Sequence, residues 1–100
     1  MTAARAAHRA APGPTSDRFF LGGRLVTLPR RARDKDLVRR YIASRVIPLD
    51  EDLTEREVTD RLAELADDPL GVRRGLVEVG LLRRTRDGAR YWRTEATEFD

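Results

Sequence analysis

Apolar residues along this chain are spaced to give a short extended start, three helices and a terminal hairpin. Phe19, Phe20 and Leu21 open the pattern, Gly22-Gly23 offers a turn, and Arg24 to Leu28 alternates as a short strand that Pro29 ends. From Asp34 to Val46, Leu37, Val38, Tyr41, Ile42 and Val46 recur at helical spacing. That stripe predicts a first helix with Lys35, Arg39, Arg40 and Ser44 facing out. Pro48 stops it, and Leu49-Asp50-Glu51-Asp52 reads as a loop. Thr54 followed three residues later by Glu57 is a capping box, the strongest boundary signal in the chain. It predicts a second helix from Thr54 to about Leu65, buried through Val58, Leu62 and Leu65.

The stretch from Asp68 to Arg93 carries the densest signals. Asp68 suits a helix cap and Pro69 the first turn, where a missing N–H costs nothing. Val72, Leu76 and Val79 give the third helix one buried face, and Gly80 supplies a left-handed stop. Beyond it the pattern becomes strand, turn, strand, with Asp87-Gly88 predicted as a two-residue turn. That turn pairs Arg86 with Ala89, Thr85 with Arg90, Arg84 with Tyr91 and Arg83 with Trp92. Alternation then places Leu81, Arg83, Thr85, Arg90 and Trp92 on one face, and Leu82, Arg84, Arg86, Ala89, Tyr91 and Arg93 on the other. Trp92 and Leu81 are expected to face the core, with Trp92 as the hairpin's anchor. Arg84 can stack on Tyr91, or Arg83 on Trp92.

Two helices joined by a short turn, the second running into a basic hairpin, outline a recognition helix and wing. The expected fold is a small α+β, winged-helix-like domain over residues 18–94: an N-terminal strand, three helices and a C-terminal β-hairpin. Residues 1–17, rich in Ala, Arg and Pro, read as a flexible basic tail or a start-site artefact, dispensable for folding; residues 95–100 read as an acidic tail without an evident partner.

Composition narrows the chemistry. With no cysteine, and His8 in the tail as the one histidine, thiolate metal sites and histidine-based catalysis have no residues to use. Asp50, Glu51 and Asp52 lack calcium-loop spacing, and Gly71, Gly75 and Gly80 are too far apart for a phosphate loop; Gly75 is expected to permit close helix packing. No enzyme activity, cofactor or metal is therefore expected. The N-terminal arginines are followed by no apolar stretch, and no run approaches the roughly 18 residues that span a bilayer, so a cytoplasmic protein without membrane contact is expected.

Charge is strongly segmented. Residues 1–46 hold eleven basic and three acidic groups, residues 47–68 two and nine, residues 69–94 seven and two, and the last six residues three acids. Nineteen of the twenty basic residues are arginine, a skew that an arginine- and alanine-rich codon usage explains, so position matters more than number. Arg73 and Arg74 lie opposite the apolar stripe of the third helix, and Arg83, Arg84, Arg86 and Arg90 decorate the wing. A helix of exposed arginines suits a major groove and a basic hairpin the adjacent phosphates, which makes Arg73, Arg74, Arg84, Arg86 and Arg90 the candidate contacts to duplex DNA. Either helix arginine can instead fold back on Asp67, Asp68 or Glu78. The exposed face of the second helix, Glu55, Glu57, Asp60 and Glu64, would repel phosphates and favours the alternative, a protein-interaction or dimerisation module.

Several runs carry a family resemblance: Leu25-x-x-x-Pro29, Glu55-x-Glu57-Val58, Val72-Arg73-Arg74-x-Leu76-Val77-x-x-Gly80-Leu81-Leu82-x-Arg84, and Gly88-x-x-Tyr91-Trp92-Arg93. Over about residues 19–94 the chain resembles the domain of unknown function family 2087. The resemblance implies a winged-helix-type module found alone or joined to helix-turn-helix regulators, hence a transcription-related context. The family pattern places an Asn after the Glu-x-Glu-Val element and a His before the Asp pair; Thr59 and Ala66 stand there.

Overall fold

Gly22 and Gly23 reverse the chain with φ of 58° and 83°, a pair of left-handed residues that turns β1 (Phe20–Leu21) onto β2 (Arg24–Leu25). The computed structural model describes residues 19–100, so the expectation for the basic tail 1–17 lies outside the described residues. The strand predicted to reach Leu28 stops at Leu25, which pairs with Phe20 on one edge and, on the other, forms an isolated bridge to Ala66 and not to another strand. Leu25 N–H donates to the Leu65 carbonyl at 2.6 Å, and its own carbonyl accepts from Asp67 N–H at 3.0 Å. Arg24 donates to the carbonyls of Ala63 and Ala66 at 2.9 and 3.1 Å, satisfying orphan acceptors at a helix C-terminus.

The first helix, α1, spans Ala32–Val46 and buries Val38, Tyr41, Ile42, Ala43 and Val46. Phe20 closes over it, its ring edge-on to Tyr41 at 5.4 Å. The second, α2 (Glu55–Ala63), starts at the expected capping box: Glu57 N–H donates to Thr54 Oγ1 at 3.1 Å, and Thr54 N–H to Glu57 Oε1 at 2.8 Å. The bond from the Thr54 backbone holds the Glu57 carboxyl below its ordinary value. The third, α3 (Pro69–Glu78), is capped by Asp68, whose Oδ1 accepts from Gly71 N–H at 3.0 Å, and Gly80 follows at φ 86°. Gly75 is buried, and a Cβ there would lie 2.8 Å from the Arg39 guanidinium, which reaches over from α1 into that space. Val79, expected in the buried stripe, is 44% exposed at the C-cap; Val72, Gly75 and Leu76 form the buried face.

A strand that the loop composition hid lies between α1 and α2. β3 (Leu53–Thr54) pairs with β5 (Arg90–Arg93), which pairs in turn with β4 (Leu82–Arg84), giving the sheet order β3-β5-β4. Two residues cannot display a period, so no sequence signal marked it. The fold is thus α+β, three helices with strands in two small antiparallel sheets, compatible with the winged-helix expectation.

The hairpin keeps the predicted register, Arg83 opposite Trp92 and Arg84 opposite Tyr91, but not the predicted turn. Glycines alone have positive φ, so Asp87 cannot take the left-handed first position of a two-residue turn. The chain instead closes through Gly88 N–H to the Thr85 carbonyl at 2.9 Å, and Arg86 and Ala89 are unpaired. A longer loop centred on the same residues preserves the pairing. The face assignment is reversed: Leu82, Tyr91 and Arg93 are 1%, 3% and 4% exposed, whereas Trp92 is half-buried and its partner Arg83 exposed. Leu81 is buried, as expected, but just ahead of the strand.

The acidic tail has partners. It crosses the α1 face expected to be solvated, with Glu98 bidentate to Arg40 at 2.9 and 3.0 Å, Thr97 hydrogen-bonded to Ser44, and Phe99 edge-on to Tyr41 at 5.6 Å. Asp100 pairs with Arg93. Hydrogen bonds from Arg40 and Arg93 are the main causes that hold the Glu98 and Asp100 carboxyls below the ordinary carboxylate range. Groups depressed on folding stabilise the native state above their unfolded values and lose that contribution as pH falls through the folded ones. The melting temperature of the parent should therefore exceed that of Glu98→Gln/Asp100→Asn by a constant margin above about pH 5, and the margin should close below about pH 4. A margin unchanged on acidification would mean that the charge of these carboxylates does not stabilise the docked tail.

Candidate nucleic-acid interface

The arginines of the folded domain differ in what they meet. Arg24, Arg40, Arg56, Arg61, Arg73 and Arg93 each meet a carboxylate, on Asp67, Glu98, Asp60, Glu51, Glu55 and Asp100 respectively. Arg74, Arg83, Arg84, Arg86 and Arg90 are exposed, and none of them meets a carboxylate among the described residues. All five lie on α3 or the wing. Arg30, Arg31 and Arg33, ahead of and opening α1, are a second exposed basic group.

Arg73 departs from its predicted role. Its side chain is 12% exposed and folds back onto α2, donating to Thr59 Oγ1 at 2.8 Å and lying 3.4 Å from Glu55 Oε2. Its guanidinium stands 5.6 Å from the Tyr91 ring centre, the stacking position anticipated for Arg84. The tether is neither Asp67, Asp68 nor Glu78 but two α2 residues, which sequence separation concealed. Thr59 acts as the acceptor for this arginine.

Arg84 curls over the turn, its Nη1 donating to the carbonyls of Thr85 and Arg86 at 3.2 and 3.3 Å. Asp87 organises the same turn by accepting from the Thr85 hydroxyl at 2.7 Å and from Ala89 N–H at 3.0 Å. Those two bonds hold its carboxyl below the ordinary range, so it stays an anion at the tip. Between α3 and the wing runs a groove of about 430 Å³ that brings Arg73, Arg74 and Arg84 together with Glu55, Glu78 and Asp87. Arg86 and Arg90 do not border it. Arg83, which the reversed face assignment had turned inward, is a further solvent-facing cation of the wing.

Glu55, Glu57, Asp60 and Glu64 of α2 and its cap are exposed, with Asp60 in an intrahelical pair with Arg56 at 3.8 Å. Among the described residues no group of three or more His, Cys, Asp and Glu side chains is placed to hold a metal ion, and no helix is long and apolar enough to cross a membrane.

Residues 24–93 match the model of a family described as an uncharacterized protein conserved in bacteria (DUF2087), and the chain belongs to that family. No curated protein and no solved structure matched the chain.

Proposed function

We propose that this family member is a non-enzymatic winged-helix module of transcription regulation that binds duplex DNA in the cytoplasm. In this reading α3 approaches the major groove through Arg74, and Arg83, Arg84, Arg86 and Arg90 of the wing meet phosphates. The observation that carries it is the sorting of arginines. Internal carboxylates meet Arg24, Arg40, Arg56, Arg61, Arg73 and Arg93, while the five on α3 and the wing meet none among the described residues and keep their charge for an external anion. Arg73 is a positioning residue here, since it ties α3 to α2 and to the wing.

Titration with random-sequence duplex at two salt concentrations tests this. Affinity should fall steeply with salt, by about 0.9 in the log–log slope for each phosphate neutralised. Arg86→Ala/Arg90→Ala should leave the melting temperature in place, weaken every duplex about equally and reduce the slope by up to about two units. Arg73→Ala should instead lower stability by about 1.5–3 kcal/mol, the range for a charged hydrogen bond, and leave the slope unchanged. Lost sequence preference at a constant slope would mean that the wing reads bases.

The exposed acidic face of α2 supports a second reading, a protein-interaction or self-association module. Concentration-dependent self-association without DNA affinity would select it.

A further inference from the structure

A crevice of about 200 Å³ opens where α1, the C-cap of α3 and the start of the acidic tail meet, lined by Asp36, Arg39, Arg40, Val79, Leu81 and Glu95. Its two arginines are not equivalent. Arg40 is held by Glu98, which accepts from both its Nε and its Nη2. Arg39 is half-buried, yet among the described residues its guanidinium meets neither a carboxylate nor any other hydrogen-bond acceptor. Its Nη2 and Nε stand 2.8 and 3.1 Å from where a Cβ would lie at Gly75, so only glycine leaves them that space. Asp36, three residues before Arg39 on α1, and Glu95 are exposed, and neither carboxylate joins an ion pair among the described residues. Val79, 44% exposed, and the buried Leu81 give the crevice an apolar side. The Glu95 wall is already fixed: its carbonyl accepts from Arg93 at 3.0 Å, and Thr94 donates to the carbonyls of Gly80 and Leu81 at 2.7 and 3.2 Å.

We propose that this crevice binds a free α-amino acid with an apolar side chain. A half-buried guanidinium without an acceptor suits a carboxylate, which it can take through two parallel N–H bonds. Two carboxylates without a cation suit an ammonium group. An α-amino acid carries both charges on one carbon, and its side chain, the third substituent, removes the Val79 surface from water. The mixed charge selects against simpler occupants. A phosphate or a plain carboxylate gains Arg39 but meets Asp36 and Glu95, and a plain amine gains the two acids but meets Arg39. Volume narrows the class further: sites for drug-sized ligands hold roughly 300–1,000 Å³, so a crevice this small takes a single amino acid and not a peptide or a nucleotide. The inference is independent of the DNA reading, since Arg74, Arg83, Arg84, Arg86 and Arg90 do not border the crevice.

Leucine is the probe. Titrated at millimolar concentration into the full chain labelled with nitrogen-15, it should shift the amide resonances of Asp36, Arg39, Val79, Leu81 and Glu95 and saturate. Leucinamide lacks the carboxylate, 4-methylpentanoate the ammonium group and glycine the side chain. Each should bind at least about tenfold more weakly than leucine, a difference of about 1.4 kcal/mol. Two variants assign the charges. Arg39→Gln should weaken leucine by at least about tenfold and erase its advantage over leucinamide. Asp36→Asn/Glu95→Gln should erase its advantage over 4-methylpentanoate and leave that over leucinamide in place. A variant that merely loosened the fold would weaken all the ligands together and erase neither preference. Absence of saturable shifts with leucine at tens of millimolar would overturn the proposal. So would equal binding of leucine and 4-methylpentanoate, or shifts confined to the wing, which would reduce the interaction to ion pairing with arginine.

Discussion

Arg93→Ala is expected to cost about 3–5 kcal/mol, the loss typical of breaking a buried ion pair from one side. The Arg93 side chain is 0% exposed. Its Nη1 donates to the carbonyls of Ala43 and Ile47 at 3.3 and 3.1 Å and to Asp100 Oδ1 at 2.9 Å. Its Nη2 donates to the Glu95 carbonyl at 3.0 Å and to Asp100. One guanidinium thus closes the C-terminal end of α1 and holds the acidic tail against it, although Nε has no partner. Removal leaves helix-end carbonyls without donors, opens a cavity and strands a carboxylate. Arg93→Met should fall between alanine and the parent, because it restores volume but no donors. Asp100→Ala buries an unopposed cation and should approach the same loss at its lower end, about 3 kcal/mol, since Asp100 is 26% exposed. The double alanine variant should lose clearly less than the two singles combined. Urea unfolding of the parent and the four variants measures all of this, and an Arg93→Ala midpoint equal to the parent's would refute the account.

Tyr91→Ala should cost about 3–5 kcal/mol and Trp92→Ala, at a half-buried position, less, about 1–3 kcal/mol. The larger aromatic is the more dispensable one. Tyr91 is 3% exposed, stands opposite Leu53 across the sheet and carries the Arg73 guanidinium on its ring, so its loss leaves a cavity beneath three elements. Trp92 points to the other face, where its cross-strand partner is the exposed Arg83. As the chain's single tryptophan, half-buried Trp92 should be quenched by acrylamide in the folded protein, though less than in the unfolded one. An indole fully protected from acrylamide, or a Trp92→Ala loss above that of Tyr91→Ala, would restore the original face assignment.

That reversal shows where a strand pattern runs out. The hairpin carries large residues on both faces, Leu82 and Tyr91 on one and Trp92 on the other, so alternation alone does not say which face is covered. The sheet is oriented by β3, whose Leu53 comes to lie opposite Tyr91, and by the α1 carbonyls that draw Arg93 inward. Neither is visible near the hairpin in the chain. Counting the exposed arginines met the same obstacle. Arg73 and Arg74 are adjacent and equivalent in pattern, yet one reaches Thr59 and Glu55 while the other stays in solvent.

The sequence by itself determined what depends on residues within about four positions of one another. The Thr54–Glu57 box, the Asp68 cap, the Gly22-Gly23 reversal, the Gly80 stop and the three helices all follow from local hydrogen bonds and φ preferences. The hairpin register followed too, because any loop centred on Asp87-Gly88 enforces the same pairing. Tertiary structure alone decided which face of the sheet is the core, which arginines keep their charge and whether the acidic tail docks. Each of those turns on a guanidinium finding a partner, and the partners lie far along the chain: Arg93 at the α1 carbonyls, Arg73 at α2, Arg40 at Glu98. A guanidinium is equally at home in water and against a carboxylate, so nothing in its local sequence says which it will meet.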